Sequence, residues 1–141
     1  MEFVSVGKWG DVSALLSRAL NVSVRGYGIS DDSDLDQLLT ELEIFLDRSK
    51  YANEALHAFW DVSYERGRNN QGTLVAHIKR LVEHEERNHI LAGLKLITPR
   101  SQVNVLHLRS RFIQLSLSPD AVIRNEANRA LRHIVRVSTE N

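Results

Sequence analysis

The sequence predicts one all-α domain over residues 1–141, in which an N-terminal helix and loop (1–30) precede about three stacked antiparallel helical hairpins (31–137). Apolar residues recur every three to four positions through most of the chain, which is the spacing of a helix that buries one face. Only two prolines interrupt this pattern, and the period-two alternation of a half-buried strand appears only in short stretches. A chain of this length suits a single hydrophobic core.

The first part of the chain combines a short predicted helix over 11–19 with a loop over 21–30, which contains two glycines. The clearest helix of the sequence follows this loop. It begins in the acid-rich stretch 30–32, where side-chain oxygens can cap free amide groups, and it ends near Lys50. Its leucines all fall on one face, so we expect that face to be buried.

Five further helices are predicted, over 53–66, 73–86, 88–98, 101–117 and 119–137. The helix over 101–117 is apolar almost all round, so we expect it to be covered on two faces. The last helix is expected to begin with Ser118 as the capping residue and Pro119 in the first turn. Paired in order with the helix before them, these helices form hairpins over 33–66, 73–98 and 101–137.

The stretch from Ser118 to Ile134, SPDAVIRNEANRALRHI, resembles the turn and second helix of a HEAT repeat. The matching features are Asp120 in the turn, the pair Val122 and Ile123, and the small residue Ala127. The resemblance implies an α-solenoid, in which helical hairpins stack side by side. An irregular helical bundle remains the alternative, because the other two hairpins lack the proline-aspartate turn.

Charge is divided between the two halves of the chain, although its formal sum is zero. Residues 1–63 carry 5 Lys and Arg against 11 Asp and Glu, whereas residues 64–141 carry 13 against 7, so the halves have net charges of −6 and +6. Such asymmetry bears on the choice of partners. The chain has no cysteine and no apolar run of membrane-spanning length, and it begins without a secretory signal pattern. We therefore expect a cytoplasmic protein without a membrane partner.

Two patterns approach metal sites without meeting their requirements. Asp32, Asp34, Asp36 and Glu43 match part of a calcium-loop template, but the position that requires glycine is Gln37. His84 and His89 nearly form a zinc-hydrolase motif, but five residues of helix would turn the two rings apart. The sequence also has no glycine-flanked serine nucleophile and no phosphate-binding loop. We therefore predict no metal, no cofactor and no enzymatic activity.

An acidic row lies on one flank of the helix predicted over 33–48. Asp36, Thr40, Glu43 and Asp47 follow at positions i, i+4, i+7 and i+11, and Ile44 lies beside them, away from the leucine face. An apolar residue beside charged ones is typical of an interface anchor with a polar rim. These five residues are the predicted partner-binding site. The alternative is that Ile44 packs beneath the N-terminal helix.

A basic row lies on the last predicted helix, where Arg129, Arg132 and Arg136 share one flank. Arginines at this spacing could bind the phosphates of a nucleic acid, and they form the predicted anion-binding site. A solvated helix face is the alternative interpretation.

Small helical solenoids commonly bind other macromolecules, so the sequence favours a non-enzymatic protein-binding module. In size, HEAT-like helix and charge layout the chain resembles the bacterial immunity proteins that neutralise cognate toxins, including those of contact-dependent growth inhibition systems. The resemblance implies a toxin as partner, and a nuclease toxin would be basic because its substrate is anionic. The acidic segment 31–47 would then make the contact. A nucleic-acid-binding or adaptor protein that uses the basic C-terminal helix is the alternative.

Overall fold

The computed structural model describes residues 32–47, 52–66 and 70–140, and all the regular secondary structure in these ranges is helical. The prediction of an all-α protein is confirmed for this part of the chain. The helix predicted over 11–19 and the loop predicted over 21–30 lie outside the described residues. No helix in the described ranges is both long enough and apolar enough to span a membrane.

The described ranges contain six α-helices and two short 3-10 helices. Helix α1 continues into the first 3-10 helix, and the second 3-10 helix leads into α5. The bounds are α1 Asp32–Glu43, the first 3-10 helix Ile44–Asp47, α2 Ala52–Arg66, α3 Gln71–Val82, α4 Arg87–Lys95, the second 3-10 helix Leu106–Leu108, α5 Arg109–Leu115 and α6 Ala121–Glu140. Five of the six helices therefore begin within two residues of their predicted starts.

The fifth helix is the exception, because the prediction of a helix from residue 101 is wrong. Residues 101–105 are not helical, and their side chains alternate: Ser101, Val103 and Val105 are buried, whereas Gln102 and Asn104 are exposed. This alternation is the period of an extended segment, and it was hidden by the surrounding apolar residues. The expected burial on two faces is also wrong, since Leu106 and Leu117 lie at the surface.

A hydrogen-bonded turn separates α4 from this extended segment. The Ser101 amide donates to the Thr98 hydroxyl at 3.1 Å, and the Ser101 hydroxyl donates to the Thr98 carbonyl at 3.0 Å. Both residues are fully buried, so these bonds satisfy polar groups that water does not reach. The chain therefore leaves the helical path before Pro99 and resumes it only at Leu106.

Helix α6 begins with a different cap from the one that the sequence suggested. The Asp120 carboxylate accepts hydrogen bonds from the amides of Val122 at 2.9 Å and Ile123 at 3.3 Å, so Asp120 is the capping residue in place of Ser118. A hydrogen bond from Arg87, which lies in the first turn of α4, reaches the other carboxylate oxygen. Arg87 and these two amide bonds lower the pKa of Asp120 below its ordinary value, against the effect of desolvation.

Helix α4 lies at the centre of the described structure. It contacts α2, α3, α6 and the first 3-10 helix, and all six residues from His89 to Leu94 are buried. A helix that is buried on every side must be covered on every side. Further contacts between helices join α1 to α2, α1 to α3, α2 to the first 3-10 helix, and α5 to α6. Burial of α4 therefore holds the two ends of the described structure together.

Close packing of α3 on α4 depends on Gly93. A β-carbon at this position would lie 2.8 Å from Cγ1 of Val82 and 2.9 Å from Cβ of Leu81, both of which are in α3. These distances are shorter than van der Waals contact, and the neighbouring backbone nitrogen of Val82 would be 3.1 Å away. The two helices could accept a methyl group here only by moving apart.

We predict that Gly93→Ala lowers the free energy of unfolding by about 1–3 kcal/mol, because the added methyl group overpacks the interface between α3 and α4. Gly72→Ala is the matched control. It also lies in a helix, but nothing lies within 4 Å of its β-carbon position. The control should leave stability unchanged or raise it by up to about 1 kcal/mol through helix propensity. Urea unfolding of both variants measures the difference, and equal stabilities would contradict the packing argument.

Candidate functional site

The acidic row of α1 lines an open groove of about 650 Å³. The structure brings all five predicted partner-binding residues, Asp36, Thr40, Glu43, Ile44 and Asp47, to one side of this groove. The other side is formed by Ala76, His77 and Arg80 of α3 and by His89 of α4. The five residues therefore line one groove. That they bind a partner stays a prediction.

Glu43 is paired with Arg80 across the groove. The two terminal nitrogens of Arg80 donate to the two carboxylate oxygens of Glu43 at 2.9 and 2.8 Å, which is the bidentate geometry of a strong ion pair. Burial acts to raise the pKa of Glu43, but the hydrogen bonds and charge of Arg80 outweigh it and hold this pKa below its ordinary value. Glu43 is therefore ionised, and Arg80 compensates its charge within the row.

His77 belongs to the same network, and its hydrogen bonds indicate which nitrogen of its ring carries the proton. Arg80 donates a hydrogen bond to Nδ1 of His77 at 2.9 Å, so that nitrogen carries no proton. The Nε2 atom of His77 then donates to Oδ1 of Asp36 at 2.6 Å. His77 is buried, and it is a neutral ring whose two nitrogens are both satisfied by groups of the groove. The chain of bonds from Asp36 through His77 and Arg80 to Glu43 fastens α1 to α3.

The exposed charge of the row is left at its two ends. The side chains of Asp36 and Asp47 are 63% and 65% exposed, compared with 21% for Glu43. Between them Ile44 is 57% exposed, whereas the Thr40 hydroxyl donates to the backbone carbonyl of Asp36 within the helix. The alternative packing of Ile44 beneath the N-terminal helix involves residues outside the described ranges. The surface formed by α1 and the first 3-10 helix thus presents one exposed carboxylate on each side of an apolar side chain.

His89 is buried at the end of the groove nearest Asp47. Its Nε2 atom lies 3.9 Å from a carboxylate oxygen of Glu43 and 3.7 Å from one of Asp47, both too far for a hydrogen bond. Its Nδ1 atom is buried and has no hydrogen-bond partner among the described residues. The side chain is only 7% exposed, so this histidine is a buried polar group that the described part of the protein leaves unsatisfied.

The ring of His89 stacks on His84, and the expectation that these two histidines turn apart is wrong. Their ring centroids are 4.1 Å apart and their planes differ by 12°. The expectation assumed one continuous helix, but α3 ends at Val82 and α4 begins at Arg87, so the intervening turn brings the rings together. Among the described residues, no group of three or more histidines and acids has an arrangement that could hold a metal ion.

The basic row of α6 is divided by its contacts. Arg129 donates hydrogen bonds to the carbonyl of Leu94 in the last turn of α4 and to that of Ile97 two residues beyond the helix, and it donates two more to Glu126. Its guanidinium lies 5.2 Å from the ring centre of Trp60. Two of the four hydrogen bonds of Arg129 therefore serve the C-terminal end of α4, where free carbonyls favour a cation.

The other two arginines of the row differ from Arg129. Arg136 donates to Nδ1 of His133, and Nε2 of His133 faces the Val103 carbonyl at 2.9 Å. The Arg132 side chain is exposed. The binding of an anion by these residues stays a prediction, and both Arg132 and Arg136 are exposed, whereas Arg129 is half-buried.

Sequence reasoning found one wall of the groove and missed the other. His77 and Arg80 are three residues apart and His89 lies in the next helix, so none of them stands out as a row. The available signal was the His-x-x-Arg spacing, which recurs in α6 at His133 and Arg136. At this spacing both side chains share one helix face, and the arginine can donate to the ring.

No protein-family model, curated protein or solved structure matches this chain. The interpretation of the groove therefore rests on its own geometry and chemistry.

We predict that Arg80→Gln lowers the free energy of unfolding by about 1 kcal/mol at neutral pH, since it removes the charge that stabilises ionised Glu43. The pKa of Glu43 is depressed in the folded protein, so this contribution is present above the ordinary value of 4.5 and is lost as the pH falls below it. The difference between wild type and variant should therefore shrink in acid. Urea unfolding from pH 7 to pH 3 measures it, and a constant difference would contradict the assignment.

We predict that Arg129→Met lowers the free energy of unfolding by about 2 kcal/mol, because the carbonyls of Leu94 and Ile97 lose a charged donor. Arg132→Met is the matched control on the same helix, and an exposed site should change stability by less than about 0.5 kcal/mol. Thermal unfolding of both variants tests the difference. Equal effects would show that the contacts of Arg129 are not stabilising.

Proposed function

We propose that this protein is a non-enzymatic binding module whose groove receives a basic surface of a protein partner. One observation carries the proposal: Ile44, an exposed apolar residue, lies between two exposed carboxylates on the wall of an open groove. An apolar anchor that becomes desolvated on binding supplies affinity, and the surrounding charges supply orientation and speed of encounter.

The electrostatics of the groove support a basic partner. Glu43 is compensated by Arg80 and His77 is neutral, so Asp36 and Asp47 carry the charge that a partner would meet. These two residues are separated by seven positions of α-helix and four of 3-10 helix, which corresponds to roughly 18 Å along the axis. The partner surface would therefore present two positive charges on either side of an apolar patch.

The contacts between helices support the proposed stack of three hairpins. Consecutive helices contact each other within each predicted hairpin, and α2, α4 and α6 contact one another in a row across the hairpins. Alternate helices of an α-solenoid pack in this way, whereas an irregular bundle has no such requirement. A stack of this kind would present the groove between the first helices of two neighbouring hairpins, α1 and α3.

The toxin-neutralising role that we propose is supported by the chemistry of the partner that the groove would favour. A nuclease carries positive charge where it meets its anionic substrate, and an acidic groove that covers this region would block access to it. The resemblance to bacterial immunity proteins is in accord with this arrangement. We therefore propose a cytoplasmic immunity protein that binds a basic toxin domain.

The basic C-terminal helix supports the alternative of nucleic-acid binding less well. Arg129 already donates to two backbone carbonyls and to Glu126, so it offers few donors to a phosphate. The groove of α1, in contrast, has exposed carboxylates at both ends.

We predict that Asp36→Lys combined with Asp47→Lys slows association with the partner by about tenfold or more at low salt, because electrostatic steering acts on the encounter rate. Glu43 is left unchanged, since its reversal would place a cation against Arg80, and circular dichroism of the double variant checks that loss of the Asp36 bond to His77 leaves the helices intact. Glu83→Lys combined with Glu85→Lys is the matched control: it makes the same change in net charge at exposed residues that do not line the groove.

The partner for this test is the protein that the chain retains from a native lysate, measured afterwards in purified form by surface plasmon resonance. Equal association rates for both double variants would refute the placement of the interface. The toxin role has its own readout, which is the growth of cells that express the partner. Expression of this chain should restore growth, and a partner that is harmless to cells would refute that role.

A further inference from the structure

Glu43, Asp47 and His89 meet at one corner of the groove, and His89 makes no hydrogen bond to either acid. The His89 side chain is more than nine-tenths buried, and Nε2 is the ring nitrogen that approaches the two carboxylates, so a ligand in the groove would meet Nε2 and leave the buried Nδ1 without a partner. The two carboxylate oxygens near Nε2 lie 3.7 and 3.9 Å away. Polar atoms at such separations indicate a bridging group, because each gap is too long for a direct bond.

Three acceptors converge on this corner from three elements. Asp47 comes from the first 3-10 helix, Glu43 from the end of α1 and His89 from the first turn of α4. A carboxylate oxygen has two lone pairs, so the oxygen of Glu43 that accepts from Arg80 can accept a second hydrogen bond. The Nε2 atom of His89 can accept when the proton of the ring is on Nδ1, and Nδ1 is unpaired with either tautomer.

The charge of the corner selects a cation over water. Arg80 compensates one of the two carboxylates, so one negative charge remains, on Asp47. An ammonium group has three N–H donors in a tetrahedral arrangement, which suits three acceptors that converge from different directions, whereas a guanidinium is planar. Exposed Ile44 lies beside the corner and can pack against the alkyl part of such a side chain.

We propose that the groove binds a lysine side chain of the partner, with its ammonium group between Glu43, Asp47 and His89. This inference rests on the proposed function for the identity of the occupant, and it adds the residue type and the position at which the partner is held. The Asp36 end of the groove has a different role, because Asp36 is already bonded to His77 and the unsatisfied histidine is at the opposite end.

The test uses the full chain, labelled with carbon-13 in its histidine rings, and n-butylammonium chloride as the probe. Ring signals are followed by NMR at pH 7.5, and n-butanol and sodium chloride serve as a neutral isostere and an ionic-strength control. We expect the His89 and His84 signals to move in a saturable way with n-butylammonium and to stay unmoved with n-butanol or sodium chloride. n-Butylguanidinium should bind more weakly.

Two isosteric variants locate the site. Asp47→Asn should weaken the binding of n-butylammonium by about tenfold, through loss of a charge-assisted hydrogen bond. Asp36→Asn removes the same charge from the far end of the row, where screening at about 0.1 M salt leaves little interaction. It should change the affinity by less than about twofold.

Three results would overturn the lysine site: unmoved His89 signals, the same movement with n-butanol or sodium chloride, or equal effects of the two asparagine variants. Binding of n-butylguanidinium as tight as that of n-butylammonium would overturn the assignment to lysine. Slower partner association in the double-lysine variant together with unmoved His89 signals would refute this inference alone. Saturable binding of the probe together with unchanged partner association would refute the proposed function alone.

Discussion

The burial of α4 on all sides is the constraint on which the rest of the described structure depends. This helix is only nine residues long, yet it contacts α2, α3, α6 and the first 3-10 helix. Its close approach to α3 requires the missing side chain of Gly93, and its two ends are held by polar contacts to α6, from Arg87 to Asp120 and from Arg129 to the last carbonyls. The position of α4 in turn places His89 at the end of the groove. The packing of the core therefore determines one of the side chains that line the groove.

The hydrogen bonds between α1 and α3 compensate the charge in the middle of the acidic row and leave the charges at its two ends exposed. Arg80 binds Glu43 through both terminal nitrogens and also donates to His77, which in turn donates to Asp36. Each bond crosses from one helix to the other or links neighbours in α3, so the same contacts that hold the helices together also neutralise the middle of the row. The exposed charge is concentrated at the two ends, next to exposed Ile44. A partner would therefore meet separated charges with an apolar centre.

Two buried histidines, His77 and His133, connect different parts of the chain through their ring nitrogens. His77 and His133 each accept a hydrogen bond from an arginine three residues later, which leaves Nε2 of the ring to reach a group on another part of the chain. For His77 that group is a carboxylate, and for His133 it is the carbonyl of Val103 in the extended segment. His89 differs from both, because the described residues offer it no hydrogen bond. The two carboxylates that lie near Nε2 of His89 without bonding to it are the reason to look for a ligand there.

The sequence by itself determined the helical class, five of the six helix starts to within two residues and the common flank of the acidic row, because all three follow from spacing along one helix. It did not reveal the extended segment 101–105, because the apolar residues next to this segment conceal the alternating burial of its side chains. Only the tertiary structure decided which acids keep an exposed charge without a compensating cation, since Glu43 meets Arg80 across 37 positions and Asp36 meets His77 across 41. Periodicity is a local property, whereas the compensation of a charge depends on side chains that packing brings from distant parts of the chain.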